Sequence, residues 1–208
     1  MNCALSQVVG GLQLAQLRLG DYVVIQGAGG LGVYATAVAK ELGAGKVIVI
    51  DGITERLDLA RAFGADDTID FRELKDEESR IKRVMDLTDG WGADVVFEAS
   101  GSPKAWDGML RSVRPGGALV LVGLPPGPVP FDVNAAIAKE LRIETVFRYA
   151  NVFDRALALI AAGKVDLKPL VSGTYPFADA VAAFERAAEG RPADVKLQIV
   201  VDEAAAAG

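Results

Sequence analysis

The stretch YVVIQGAGGLGVYATAVAKELGAGKVIVID, residues 22–51, decides the fold. Tyr22–Gln26 is a short apolar run with β-branched residues and reads as a strand. Leu31 to Leu42 is longer, rich in alanine, and reads as a helix. Lys46–Asp51 reads as a second strand. Between the first strand and the helix stands Gly27-Ala28-Gly29-Gly30-Leu31-Gly32, which matches G-x-G-x-x-G. In such a turn each glycine has its own task. Gly27 permits the tight reversal, Gly29 clears the place where backbone approaches a pyrophosphate, and Gly32 lets helix and strand pack closely. The helix N-terminus then turns free N–H groups and a positive dipole end toward the phosphates.

Asp51 ends the second strand, 19 residues after the last glycine. A carboxylate there can accept hydrogen bonds from both adenosine ribose hydroxyls. It also repels a 2′-phosphate, so NAD is favoured over NADP. Arg56 lies just beyond and could meet such a phosphate; beside Asp51 it is expected to cover the adenine face or to sit in water. The plain alternative for the whole stretch is a structural turn followed by a solvated aspartate.

The same alternation continues outward. Thr54 to Phe63 reads as a helix, with Thr54 as its N-cap and Gly64 as its stop. Thr68–Asp70 is a third strand, Glu77 to Leu87 a charged amphipathic helix, and Asp94–Phe97 a fourth strand. Pro103 to Val113 reads as one helix with proline at its start, Gly117–Val122 as the fifth strand, and Leu141–Val146 as the sixth. Strands apolar throughout, with helices between them, predict an α/β domain: a doubly wound parallel six-stranded sheet covered on both faces. Residues 1–20 read as a leading helix, with Leu5, Val8, Val9, Leu12 and Leu14 as its apolar positions. The core spans 21–150. Residues 151–208 add a helix and then a strand-helix-strand segment, ending in a low-complexity tail. Val129–Val133 reads as a short extra strand at the sheet edge, a place where a homodimer could form, or one whose exposed edge Pro128 and Pro130 blunt instead.

Composition removes other chemistries. Of 208 residues none is histidine and one, Cys3, is cysteine. An imidazole base, a His metal ligand, an internal disulfide and a thiolate zinc cage are thereby excluded within the chain. The net charge of −6, with no basic cluster, argues against nucleic acid as a partner. The apolar runs are broken well short of the about 20 residues a membrane span needs. Met1 to Gly10 lacks a leader pattern, so a soluble, cytoplasmic protein is expected.

The residues together resemble the coenzyme domain of medium-chain, zinc-dependent alcohol and polyol dehydrogenases. The likeness runs from Asn2 to Val201 and is carried by GAGGLG at 27–32, VIVID at 47–51, ERLDLARAFGAD at 55–66, DVVFEASGS at 94–102 and GGALVLVGL at 116–124. The segment VFRYAN at 146–151, with the VDLKPLVSGTYPFADAVAAFE that follows it, looks most like sorbitol or xylitol dehydrogenases. The resemblance implies a Rossmann fold in which Gly27, Gly29, Gly30, Leu31 and Gly32 hold the pyrophosphate of NAD and Asp51 holds its adenosine ribose. It implies that Ala99, Ser100 and Gly101 line the cofactor cleft. Val122, Gly123 and Leu124 would flank the nicotinamide, with Phe147 beside the cofactor and Lys196 reaching the pyrophosphate. In the polyol branch Arg148 and Tyr149 look like groups facing substrate hydroxyls. The plain alternatives are that Val122 and Leu124 are core at a strand end and that Arg148 is a surface charge.

The family places a β-rich domain with the catalytic zinc ligands before the coenzyme domain, and no such segment is found in these residues. Residues near 171–201 resemble the part that returns to that other domain. Cys3 stands where the alcohol branch has its last catalytic zinc ligand; within this chain it is expected to be a small buried hydrophobe. The expectation is therefore the NAD-binding portion of an enzyme that oxidises a small alcohol or polyol with zinc in the full-length parent. Alone it should bind NAD without turnover. Two alternatives stand beside it: a free-standing NAD-binding or sensing module, and a zinc-free quinone or enoyl reductase relative, against which Asp51 and VFRYAN both count.

Overall fold

Burial along the apolar runs is nearly continuous, so the central strands must be covered on both faces. A computed structural model describes residues 2–74, 76–106, 108–148 and 150–202. The chain divides into two compact units, residues 1–165 and 166–208.

In the first unit the strands are β1 (Tyr22–Gln26), β2 (Lys46–Asp51), β3 (Asp67–Asp70), β4 (Ala93–Glu98), β5 (Val113–Leu121) and β6 (Arg142–Thr145). They form one sheet in the order β3-β2-β1-β4-β5-β6. Every neighbouring pair is parallel. Val24, Ile48, Ile50, Val96 and Leu119 point to one face and pack on Val84, Leu87, Met109 and Leu110. Those four side chains come from α4 (Glu77–Leu87) and α5 (Met109–Ser112). Phe97 and Val120, one residue along, point to the other face, where α1 (Asn2–Leu14) lies. Gly11 makes that approach possible, since a Cβ there would come within 2.9 Å of both side chains. The helix α2 (Gly30–Glu41) and the helix α7 (Phe153–Ala161) both pack on α1. The order reverses between β1 and β4, and ligands of open parallel sheets bind beyond the strand ends at that point.

Several expectations change. Thr54 is not the cap of α3 (Thr54–Ala62) but its first residue; Ile53 takes the cap position, and its N–H is taken up by Asp51. The helix expected over 103–113 is split into a 3₁₀ turn, Pro103–Trp106, and the short α5. Gly108 between them has φ +71 and lies against Ile81 and Glu77, which a continuous helix would not allow. The strand expected at Val129–Val133 does not form. Asp132 instead accepts from the Ala135 N–H at 3.0 Å and starts α6 (Val133–Ala138), so β6 is the outer strand at that edge. The helix α7 groups with the first unit, through α1, rather than with the segment after it. Among the described residues no helix is long and apolar enough to cross a membrane.

The second unit holds two strands, β7 (Val171–Pro176) and β8 (Lys196–Val200), paired in parallel, with α8 (Ala180–Glu189) between them in the chain. Arg186 of α8 ties it together. Its Nε and Nη2 meet the two oxygens of Asp194 at 2.7 and 2.6 Å, and Nη2 also donates to the Ser172 carbonyl. This guanidinium holds the Asp194 carboxyl below its ordinary value, chiefly by hydrogen bonding. A carboxyl whose pKa is lowered in the fold adds stability above its unfolded value, and that stability is lost as pH falls through the folded value. The second unit is therefore expected to loosen below about pH 4. Hydrogen exchange over residues 166–202 checks this: protection should fall with acid in the wild type, and Asp194→Asn should start lower and lose that dependence.

Candidate functional site

The C-terminal ends of β1, β2 and β4 meet around the glycine turn. Gly27 has φ +94, a conformation few other residues adopt, and its N–H donates to the Ile50 carbonyl at 2.8 Å. This bond ties the turn to β2. A Cβ on Gly32 would lie 1.8 Å from the Gly27 carbonyl oxygen, so α2 can start this close to the turn only with glycine there. At Gly29 an added Cβ would meet nothing within 4 Å, which leaves open space in front of the loop backbone. Gly29 is the N-cap of α2 and has no side chain to cap with, so the first-turn N–H groups from Gly30 and Leu31 onward stay available to a ligand.

Asp51 is 8% exposed, and its carboxylate does more than wait for a ligand. Oδ2 accepts from the Ala28 N–H at 2.7 Å; Oδ1 accepts from Gly52 at 2.7 Å and from Ile53 at 2.9 Å. The acid thus clamps the glycine loop to the start of α3. A carboxylate offers about four acceptor positions. With three engaged, one ribose hydroxyl fits without disturbing the loop, rather than the pair the sequence suggested. Arg56 sits half-buried in the first turn of α3. At the end of β3, Arg72 is committed to Asp70 and to the Thr54 hydroxyl, at 2.5 and 2.8 Å. The guanidinium holds the Asp70 carboxyl below its usual range.

A cleft of about 420 Å³ opens beside the turn, and its walls include Gln26, Gly27, Asp51, Phe71, Ser100 and Lys104. Across it the segment after β4 closes in. Ala99 N–H donates to the Gln26 carbonyl at 2.9 Å, and Gly27 lies so near Ser100 that a Cβ would reach 2.8 Å from the Ser100 Cβ. Gly101 lies against the Leu124 carbonyl, and Gly123 against Gly101. The glycine turn, Asp51, Ala99–Gly101 and Val122–Leu124 therefore come together beyond the C-terminal ends of the strands. Val122 is only half-buried and Leu124 is 78% exposed, which removes the reading of both as core.

Other expected residues fall elsewhere. Phe147 and Arg148 follow β6 and are exposed, with the Arg148 guanidinium 5.2 Å from the Phe147 ring centre. The Phe147 carbonyl accepts from Gln7 of α1 at 2.8 Å. Tyr149 lies outside the described residues. Lys196 belongs to the second unit, exposed at the first position of β8. Cys3 is exposed on α1, not the buried hydrophobe expected, because Leu5, Val8 and Leu12 take the inner face of that helix. Among the described residues no group of three His, Cys, Asp or Glu could hold a metal ion, and Cys3 alone does not make a zinc site. Sequence reasoning missed Glu98, the charged residue that closes the apolar run of β4, and Phe71 and Lys104 on the cleft wall.

A family model described as zinc-binding dehydrogenase matches residues 30–162. The chain belongs to the zinc-binding dehydrogenase family. This member is 52% identical, over 91% of its length, to a protein of Agrobacterium fabrum named "Putative D-xylulose reductase", and covers 53% of it. It is 35% identical to a sorbitol dehydrogenase of Bacillus subtilis over 88% of its length, covering 51% of that protein. Among solved structures, the alcohol dehydrogenase TADH of Thermus sp. ATN1 superposes with TM-score 0.86 and 34% identity, over 95% of this chain and 56% of that one. The chain thus spans about half the length of the curated relatives it matches.

Proposed function

We propose that this chain is the NAD-binding portion of a zinc-dependent dehydrogenase that oxidises a polyol or secondary alcohol. The observation that carries the reading is the cleft itself: a glycine-rich loop at the start of α2 with open space before Gly29, a buried acid at the end of β2, and Ser100 opposite. Gly27–Gly32 hold the pyrophosphate, Asp51 takes a ribose hydroxyl, and Val122–Leu124 flank the nicotinamide, with Phe147 beside it. When bound, NAD supplies the hydride acceptor; the protein supplies binding and orientation. Arg148, exposed just beyond β6, would contact the substrate. By itself the chain is proposed to bind the coenzyme and to turn over no alcohol, since among the described residues no group of three His, Cys, Asp or Glu could hold the zinc. The similarity to named xylulose and sorbitol enzymes supports the polyol class.

NAD is preferred to NADP for two reasons. The Asp51 charge stands at the ribose, and the nearby Arg72 is already held by Asp70 and Thr54. Titration calorimetry with NADH and NADPH tests this. NADH is expected to bind at least about tenfold more tightly, a difference of about 1.4 kcal/mol. Heat from neither nucleotide, or tighter binding of NADPH, overturns the reading. A homodimer through the sheet edge belongs to the same proposal. Val133, Ile137 and Ile143 are exposed there, beside the outer strand β6. Only monomer by light scattering at high concentration would count against it.

A further inference from the structure

Glu98 is the last residue of β4, it is 0% exposed, and the coenzyme reading gives it no task. A buried carboxylate is costly unless donors surround it. Here they do. Oε1 accepts from the Ser100 N–H at 2.8 Å, the Ser100 hydroxyl at 2.5 Å and the Gly101 N–H at 3.1 Å, while Oε2 lies 3.3 Å from that same Gly101 nitrogen. All these donors are neutral and belong to the segment after β4. The backbone carbonyl of Glu98 accepts from Val122 and Gly123, at 3.1 and 2.9 Å, in the segment after β5. The two segments meet over this residue. A Cβ on Gly123 would come within 2.2 Å of both Glu98 Oε2 and the Gly101 nitrogen. Ser100, held by Glu98 on one side, abuts Gly27 on the other.

We infer that Glu98 is a positioning residue for the nicotinamide half of the coenzyme. Through its side chain and its own carbonyl it fixes Ala99–Ser102 and Val122–Leu124 against each other before any ligand arrives. Segments ordered in advance lose little freedom on binding, so affinity is retained. None of the three N–H groups that Asp51 holds is shared with Glu98, so the adenosine half is secured separately. The role needs an acceptor-only group. An amide can keep its oxygen on the Ser100 donors, but the bonds lose their charge and the NH₂ in the place of Oε2 turns a donor toward the Gly101 N–H.

This inference rests on the NAD-binding reading, and AMP, which carries only the adenosine half, separates the two. In Glu98→Gln, NADH affinity is expected to fall about tenfold or more, as loss of charged hydrogen bonds implies, with AMP affinity within about twofold of wild type. Glu98→Asp, which keeps the charge on a shorter arm, should recover part of the NADH affinity. A merely structural role lowers NADH and AMP binding by the same factor; that result, or unchanged NADH binding, overturns the inference. A wild-type chain that binds neither ligand sinks the coenzyme reading and the inference with it. Should Glu98→Gln not fold, hydrogen exchange on the wild-type chain decides. NADH, but not AMP, should add protection at 99–102 and 122–124 together, and protection of one segment without the other counts against Glu98.

Discussion

Gly32→Ala is expected to destabilise the first unit severely and to abolish coenzyme binding. The new methyl would sit 1.8 Å from the Gly27 carbonyl oxygen and 2.9 Å from its carbon, well inside any real contact. Neither side can yield cheaply. Gly27 is held to β2 by its bond to Ile50, and the Gly32 carbonyl accepts from the Thr36 hydroxyl inside α2. The helix must lift off the turn, and Val33, Ala35 and Val38, all fully buried, go with it. Overpacking of this kind costs about 3 kcal/mol or more. For a chain of this size that is a fall of roughly 10 °C in the unfolding midpoint, readable by calorimetry. Gly29→Ala is the matched control. Its φ of −67 suits alanine and open space surrounds the new methyl, so the fold should be unharmed. That methyl would nevertheless stand where the loop backbone meets the pyrophosphate, and NADH affinity should fall sharply. A Gly32→Ala variant as stable as wild type would show that α2 does not start against the turn as described.

Asp51→Asn is expected to cost both stability and selectivity. One of the amide's two polar atoms becomes a donor, so it must face Ala28 N–H or the Gly52 and Ile53 pair. Hydrogen bonds to charged groups are worth about 1.5–3 kcal/mol each, and a buried donor left unpaired adds to the loss. A destabilisation of about 3 kcal/mol follows, measurable by urea unfolding. Removing the charge also removes the repulsion of a 2′-phosphate. NADH binding should weaken about tenfold or more while NADPH binding changes little, so the ratio between them collapses. An unchanged ratio would mean that Asp51 is only a loop clamp.

Much of the sheet was legible because its signals are local. Tyr22–Gln26 and Lys46–Asp51 could be bounded to the residue, since apolar strands between glycine-rich turns leave little freedom. So could α4, where Ile81, Val84 and Leu87 recur at helical spacing behind the capping Asp76. What failed depended on contacts distant in sequence. Residues 103–113 look helical until Gly108 has to pass Ile81 and Glu77. Val129–Val133 looks extended until the Asp132 side chain takes an N–H and begins a helix. The place of Asp51 in the site was legible from its spacing, but its grip on Ala28, 23 residues away, was not. Glu98 left a faint mark, one charge closing an apolar strand, whose meaning appears only when two loops meet over it. Cys3 looked like an inward residue on an apolar helix, and the helix turned it outward.

The central claim is that the C-terminal ends of β1, β2 and β4 hold the adenosine and pyrophosphate of NAD. An amide-resolved NMR titration of the labelled chain with NADH tests it most directly. The account predicts the largest shifts at Ala28–Gly32, at Gly52 and Ile53 beside Asp51, and at Ser100 and Gly101. Shifts concentrated away from those strand ends, or none at saturating NADH, would contradict it.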